Sequence, residues 1–244
     1  MNNRPKIGLL LDFAASGSFS SRPHYALRTL YFEAIWRAGG LPIAVPYIAD
    51  AIDSYLQLCS GMILPGGFYP FPAHLYGRMP VEEDTVHPRF AYEIRLLDGI
   101  LQKNIPVLGV CAGMQAIAGS QGATLYNNIR EETDSTLDHL NGNPAEQTAH
   151  GVRIIEGSLL HRIVQSATLQ VNTAHNESLK TVPDGVIVNA VADDGIVEGI
   201  ELPGQRFCLG VQWHPEFFAV PGNPHFWLFE ALVAAASESD RAPS

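Results

Sequence analysis

Cysteine is scarce in this chain of 244 residues: Cys59, Cys111 and Cys208 are all there is. An odd, sparse set does not read as a disulfide framework, and the expected compartment is the reducing cytoplasm. Basic residues are outnumbered, with 15 Lys plus Arg against 25 Asp plus Glu and a formal net charge of −10. Without a long basic run, the chain is expected to bind neither nucleic acid nor an anionic membrane surface. Long apolar stretches are missing too, and none approaches the ~18 residues that span a bilayer. The first apolar run, residues 7–11, is broken at once by Asp12, so no signal-peptide core is expected there. Neither a phosphate-binding glycine loop nor an HExxH pair occurs. His139, His150, His161 and His175 are too scattered along the chain to suggest a metal site, so neither metal nor cofactor is expected.

What is present supports a sizeable core: hydrophobic residues make up 46% and charged residues 16%, which excludes wholesale disorder. Short apolar runs at residues 7–11, 42–45, 62–64 and 105–110 read as buried strands. Between them, residues 25–37 carry helix spacing in Leu27, Leu30, Tyr31, Ala34 and Ile35, and Gly39-Gly40 ends the run. Ile52, Tyr55, Leu56 and Cys59 form another helical face, and residues 89–101 and 112–120 two more. This alternation predicts βαβ units and a parallel sheet. Residues 68–88 are irregular, with Pro70, Pro72, Pro80 and Pro88, and residues 127–149 form a polar loop. The character then changes. Residues 150–155, 167–171, 186–192, 195–202 and 207–212 are short strands, with Asp193-Asp194-Gly195 as a hairpin turn. Residues 225–236 close the chain as a helix. A single domain over 1–244 is expected, with residues 237–244 frayed.

Gly109-Val110-Cys111-Ala112-Gly113 lies between a predicted strand and a predicted helix and has the form of a nucleophile elbow. Small flanking residues let strand and helix approach, and the sharp turn pushes the central side chain out. At a helix N-terminus the macrodipole favours thiolate over thiol, and the first-turn amide of Ala112 is free to hold an oxyanion. Cys59 and Cys208 have no such context and read as core.

A cysteine nucleophile needs a base, and the base an orienting group. Gly210-Val211-Gln212-Trp213-His214-Pro215-Glu216 offers both. His214 leaves the end of a β run, and residues i and i+2 of an extended segment share a face, which brings Glu216 to the imidazole.

With Cys111, His214 and Glu216 in this order, the chain resembles the class I glutamine amidotransferase family. The resemblance rests on Leu64-Pro65-Gly66-Gly67, the elbow continued by Met114-Gln115, and the segment ending in Trp213-His214-Pro215-Glu216. It covers roughly residues 5–235. It implies an α/β fold, a flavodoxin-like, mostly parallel sheet with flanking helices and a small antiparallel sheet. It implies a Cys–His–Glu triad acting on a γ-glutamyl amide, Gly67 beside Ala112 in the oxyanion hole, and Gln115 on the glutamyl group. Within that superfamily the chain is most similar to the stand-alone γ-glutamyl-γ-aminobutyrate hydrolase, or peptidase C26, group. Leu75-Tyr76-Gly77 follows the double glycine as in that group, residues 127–150 match its extended loop, and Val171-Asn172-Thr173-Ala174-His175 resembles its glutamyl-pocket segment, placing Asn172 and His175 at substrate.

Departures from that group leave the triad untouched. Tyr69-Pro70 stands where an Asp-Val pair is usual, Arg89 is followed by Phe90, Ala112 replaces an arginine, and Glu177 replaces a glutamine. With Phe68, Tyr69 and Phe71 nearby, these changes suit an apolar or aromatic amine; the same aromatics are equally suited to core packing. The resemblance therefore implies a cysteine-dependent hydrolase of γ-glutamyl amides, in polyamine catabolism, with a small-molecule substrate and a homodimeric assembly. The alternative is a glutaminase subunit that supplies ammonia to a separate synthetase. A non-catalytic binding module is disfavoured, because a binder has no need of an elbow thiol paired with histidine and glutamate.

Overall fold

The architecture is that of a computed structural model, which describes residues 4–79 and 86–239. Strand β1 (Lys6–Leu10) leads into a small hairpin of β2 (Asp12–Ala14) and β3 (His24–Ala26), then α1 (Thr29–Arg37) and β4 (Leu41–Val45). Helix α2 (Ile52–Leu58) and β5 (Gly61–Leu64) follow, then, beyond a long connection, α3 (Pro88–Gln102), β6 (Val107–Val110), α4 (Ala112–Ser120) and β7 (Thr124–Tyr126). A single turn, α5 (Ile129–Glu132), opens the polar loop. Next come β8 (His150–Ile154), α6 (Leu159–Val164), β9 (Thr168–Val171), β10 (Ser178–Thr181), β11 (Ile187–Ala192), β12 (Val197–Glu201), β13 (Cys208–Val211) and α7 (Pro224–Ser239).

A nine-stranded sheet runs in the order β4-β1-β5-β6-β13-β12-β11-β8-β9. Strands β4, β1, β5, β6 and β13 pair in parallel; from β12 to β9 every pairing is antiparallel. The antiparallel half thus continues the parallel half edge to edge, while β7 with β10 and β2 with β3 form separate small antiparallel sheets. Alternation along the strands divides the core. Met62 and Leu64 face α2, α3 and α4, whereas Ile63, Leu108 and Val110 face α1, α6 and α7. No helix among the described residues is long and apolar enough to cross a membrane.

Two boundaries differ from the sequence expectation. Helix α1 begins at Thr29, not at residue 25, because Asp12–Ala14 captures His24–Ala26 in an antiparallel pair and Tyr25 packs on Tyr47. The final helix continues through Ser239, so residues 237–239 are helical where fraying was expected; Ser237 donates to the Val233 carbonyl within it. Pro80 and residues 240–244 lie outside the described residues. Strands β7 and β10 carry no apolar alternation long enough to announce them, and they form through their mutual pairing.

Candidate active site

The loops after β5, β6 and β13 meet at the carboxyl edge of the parallel strands, the usual place for a site in such sheets. Cys111 follows β6 directly, with φ 50° and ψ −109°. A non-glycine residue held there stores roughly 1–3 kcal/mol of backbone strain. The conformation is pinned on both sides: the Cys111 amide donates to the Val211 carbonyl at 2.8 Å, and its carbonyl accepts from the Gln115 amide at 3.1 Å. The flanking glycines are required by contact. A Cβ at Gly109 would lie 2.8 Å from the Gly113 backbone, and one at Gly113 would collide with the Leu64 carbonyl. Helix α4 is therefore pressed onto β5 and β6, and its first turn starts at Cys111.

His214 is clamped through its backbone. Its amide donates to Asn172 Oδ1 at 2.9 Å, and Asn172 Nδ2 donates to its carbonyl at 3.1 Å. Its Nδ1 lies 2.9 Å from Glu216 Oε1, which leaves Nε2 for Cys111, its other side-chain partner. The 3₁₀ turn Pro215–Phe218 makes the Glu216 contact, with His214 at φ −108° and ψ 84°; the extended segment expected from the sequence is replaced by a turn that Pro215 starts. Burial opposes an imidazolium here, but the charges of Glu216 and Cys111 outweigh it, and the pKa of His214 is pushed up to about 10. Glu216 is itself buried, faces the Tyr31 hydroxyl and lies 3.6 Å from the half-exposed Arg28.

Pro65-Gly66-Gly67 is held from below by a residue the sequence reading noted only as a family departure. Arg89 is fully buried on α3; its Nη1 donates to the Gly66 carbonyl at 2.9 Å, Nη2 donates to the Pro65 carbonyl, and Asp12 pairs with it at 3.2 Å. Glu93, one turn on, pairs with Arg89 at 3.4 Å and accepts the Tyr69 hydroxyl at 2.5 Å. The sequence signal was there: Arg89 and Glu93 stand four apart on an otherwise apolar helix face. The Gly66 amide donates to Tyr31 Oη at 3.2 Å, which ties this turn to the helix beside Glu216. A Cβ at Gly67 would strike the Arg89 guanidinium, and one at Gly66 would strike the His214 ring.

Above Cys111 opens a cavity of about 570 Å³ lined by Gly67, Phe68, Tyr69, Gln115, His175 and other residues of the same loops. Gln115 Nε2 donates to Gln212 Oε1 and to the Glu177 carbonyl, both at 3.0 Å. Aromatic and polar residues share its wall, Arg78 and Glu177 among them. Glu177 accepts the Tyr76 hydroxyl, and burial raises its pKa. Phe68 is 73% exposed at the rim, whereas Tyr69 and Phe71 line the cavity and also pack in the core. Asn172 does not line this cavity, contrary to the sequence expectation: its amide group is fully engaged with the His214 backbone and the Ala145 carbonyl.

The histidines set apart by spacing require a second correction. His139, His150 and His175 converge on buried Glu198 of β12, although up to 59 residues separate them in the chain. His161 stays apart, on α6. No local pattern announces this cluster, because each member comes from a different loop or strand.

The Peptidase C26 family model matches residues 5–216. A chain of Rickettsia prowazekii (strain Madrid E), named as a glutamine amidotransferase-like protein, is 30% identical over 97% of this chain and 99% of its own. The γ-glutamyl-γ-aminobutyrate hydrolase PuuD of Escherichia coli (strain K12) is 30% identical over 96% of this chain and 94% of its own. Among solved structures, the glutaminase domain of Trypanosoma brucei CTPS superposes with a TM-score of 0.64 over 96% of this chain and 94% of that one, at 20% identity, which speaks to the fold.

Proposed function

The chain belongs to the peptidase C26 family, and on that premise we propose that it hydrolyses γ-glutamyl amide bonds through a thioester on Cys111. The observation that carries this reading is the line Cys111–His214–Glu216, whose Cys111 end lines a cavity that also holds a cation and an anion, Arg78 and Glu177. The γ-glutamyl group is a zwitterionic head on a short apolar stem. Arg78 suits its α-carboxylate and Glu177 its α-ammonium, with Gln115 and His175 beside them.

The Cys111 sulfur, its proton held by His214, attacks the amide carbon and forms the C–S bond. The amides of Gly67 and Ala112 stabilise the oxyanion, and the Arg89 bonds to Pro65 and Gly66 keep the first of them in place. As the C–N bond breaks, His214 Nε2 passes its proton to the leaving nitrogen. Water then gives a proton to His214 while its oxygen bonds the thioester carbon. The C–S bond breaks, glutamate leaves, and Cys111 is restored. Glu216 fixes the imidazole tautomer and favours its charged form.

Cys111→Ala is expected to lower kcat by at least ~10³-fold with the fold intact, since no other nucleophile is at hand. A glutamine-like chloroketone should alkylate Cys111 in the wild type and leave Cys59 and Cys208 unmodified, as read by peptide mass. Wild-type turnover in Cys111→Ala overturns the reading, and turnover by the chain alone separates it from that of an ammonia-supplying subunit. Phe68, Tyr69 and Phe71 are assigned to the leaving amine. Steady-state kinetics on matched γ-glutamyl amides should show higher kcat/KM for apolar or aromatic amines than for γ-aminobutyrate, and Phe68→Ala should narrow the gap. Tyr69→Ala is a poor probe of this, because Tyr69 also holds Glu93. A preference for the γ-aminobutyrate amide, unchanged in Phe68→Ala, rejects the amine assignment.

A further inference from the structure

We propose that His139, His150, His175 and Glu198 bind one zinc ion, which fixes the polar loop and the His175–Glu177 wall of the cavity. The site is distinct from the Cys111 line, although His175 borders the same cavity, and zinc binding there does not require the reaction proposed above. Candidate ligand atoms of His139, His150 and Glu198 all lie within 4.8 Å of one another, and every one of these residues is buried. The inner nitrogens converge on a single oxygen: His139 Nδ1 and His175 Nε2 each lie 3.3 Å from Glu198 Oε1, and His150 Nε2 lies 3.7 Å from it. These are long for hydrogen bonds. The two shorter ones match the edge of a tetrahedron with metal–ligand bonds of ~2.0–2.1 Å, roughly 3.3–3.4 Å.

The outer nitrogens fix the tautomers. His150 Nδ1 lies 3.3 Å from the Gly151 carbonyl, and His175 Nδ1 lies 3.0 Å from the Glu177 carbonyl. A carbonyl can only accept, so each of those nitrogens carries the hydrogen and the inner one of a neutral ring presents a lone pair. His139 repeats the pattern on a carboxylate: its Nε2 lies 2.9 Å from Asp194 Oδ2, which Ser135 Oγ also approaches as a donor. Metal-binding histidines are oriented in this way, by an oxygen behind the ring.

In their neutral forms the three rings face one carboxylate with lone pairs and no donor. The inner nitrogens of all three histidines and both oxygens of Glu198 are buried without a hydrogen-bond partner. Unpaired buried groups of this kind are costly, and native structures avoid them. A dication at the centre satisfies all four groups and balances the charges of Glu198 and Asp194. Three imidazoles and one carboxylate suit zinc. A second cavity of about 280 Å³ borders His139 and His175. Because the Glu177 carbonyl accepts from both His175 and Gln115, an ion on His175 steadies the wall that carries Glu177.

The test uses the whole chain purified without a polyhistidine tag. Elemental analysis should find one zinc per chain, retained in Cys111→Ala and lost in Glu198→Gln and His150→Ala. Asp194→Asn, which removes only the group behind His139, should weaken zinc binding roughly 10–100-fold. Should the ligand variants fail to fold, wild-type protein stripped by chelator and reloaded with cobalt should show the intense visible bands of a four-coordinate ion. Zinc added back to the stripped protein should raise its Tm. Wild-type protein that takes up no zinc and shows no Tm shift overturns the proposal. So does zinc that persists in Glu198→Gln but disappears in Cys111→Ala, which would place it on the thiol.

Discussion

His214 sits between two groups that both favour its proton, and this gives the site a testable pH signature. Its pKa is held at about 10 against an ordinary 6.5, with burial opposing and Glu216 prevailing. Folding therefore takes up a proton between these two values. The pair contributes its full stability below about 6.5 and loses it as the pH rises towards about 10. Denaturant unfolding of wild type and Glu216→Gln at several pH values should show a stability gap that is widest at about pH 6.5 and narrows into the alkaline range. A gap that stays constant would mean that Glu216 does not hold the proton. In turnover, Glu216→Gln should cost less than His214→Ala, because an amide can still orient the ring but no longer balances its charge.

At the scale of elements, the site is made by how closely α4 approaches the sheet. Gly109 of β6 stands opposite Gly210 of β13 in register, and α4 rests on this glycine strip through Ile117 and Met114. Any side chain there lifts the helix and moves Cys111 from between the Pro65–Gly67 turn and His214. Gly113 and Gly119 provide a contrast within the same helix. A Cβ at Gly119 would lie 3.1 Å from the flexible Leu75 side chain, whereas at Gly113 it would meet the Leu64 backbone. Gly119→Ala is expected to be near neutral or to gain up to ~1 kcal/mol from helix propensity. Gly113→Ala should lose about 3 kcal/mol or more through overpacking, together with most activity. Thermal unfolding decides this, and equal Tm values for the two variants would show that the close approach is not maintained in solution. Arg89 acts at the same scale: one guanidinium on α3 holds two carbonyls of the turn after β5.

For the whole molecule the decisive feature is the place of β13. It is the last strand in the sequence, yet it lies in the middle of the sheet, joining β6 in parallel and β12 antiparallel. Among the described residues, the two halves of the sheet have no other ladder between them. His214 and Glu216 follow this strand, so the site forms only when the most distant pairing closes. Native-state hydrogen exchange should find the amides of Val107–Val110 and Cys208–Val211 opening only with global unfolding, at one common free energy. If β1, β5 and β6 instead stayed protected while β13 exchanged, the parallel half would be an independent unit and this account of the coupling would fail.

The sequence by itself determined the βαβ rhythm, the elbow and the residues Cys111, His214 and Glu216, because each is encoded by neighbours. Apolar alternation sets strand faces, glycines two residues either side of a cysteine permit one sharp turn, and a proline fixes the chain after a histidine. Tertiary structure decided the rest. Asn172 was legible as part of a segment, but only the fold turned it towards the His214 backbone instead of the cavity. Arg89 and Glu93 were visible as a pair on an apolar face, while what they hold, a turn more than twenty residues earlier, was not. The histidines converge on Glu198 from separate loops and strands whose approach depends on the order of β8, β9 and β12 in the sheet. Local patterns record what a residue does to its own backbone; which distant side chains share a buried space is set by packing, and buried polar groups must then find their partners there.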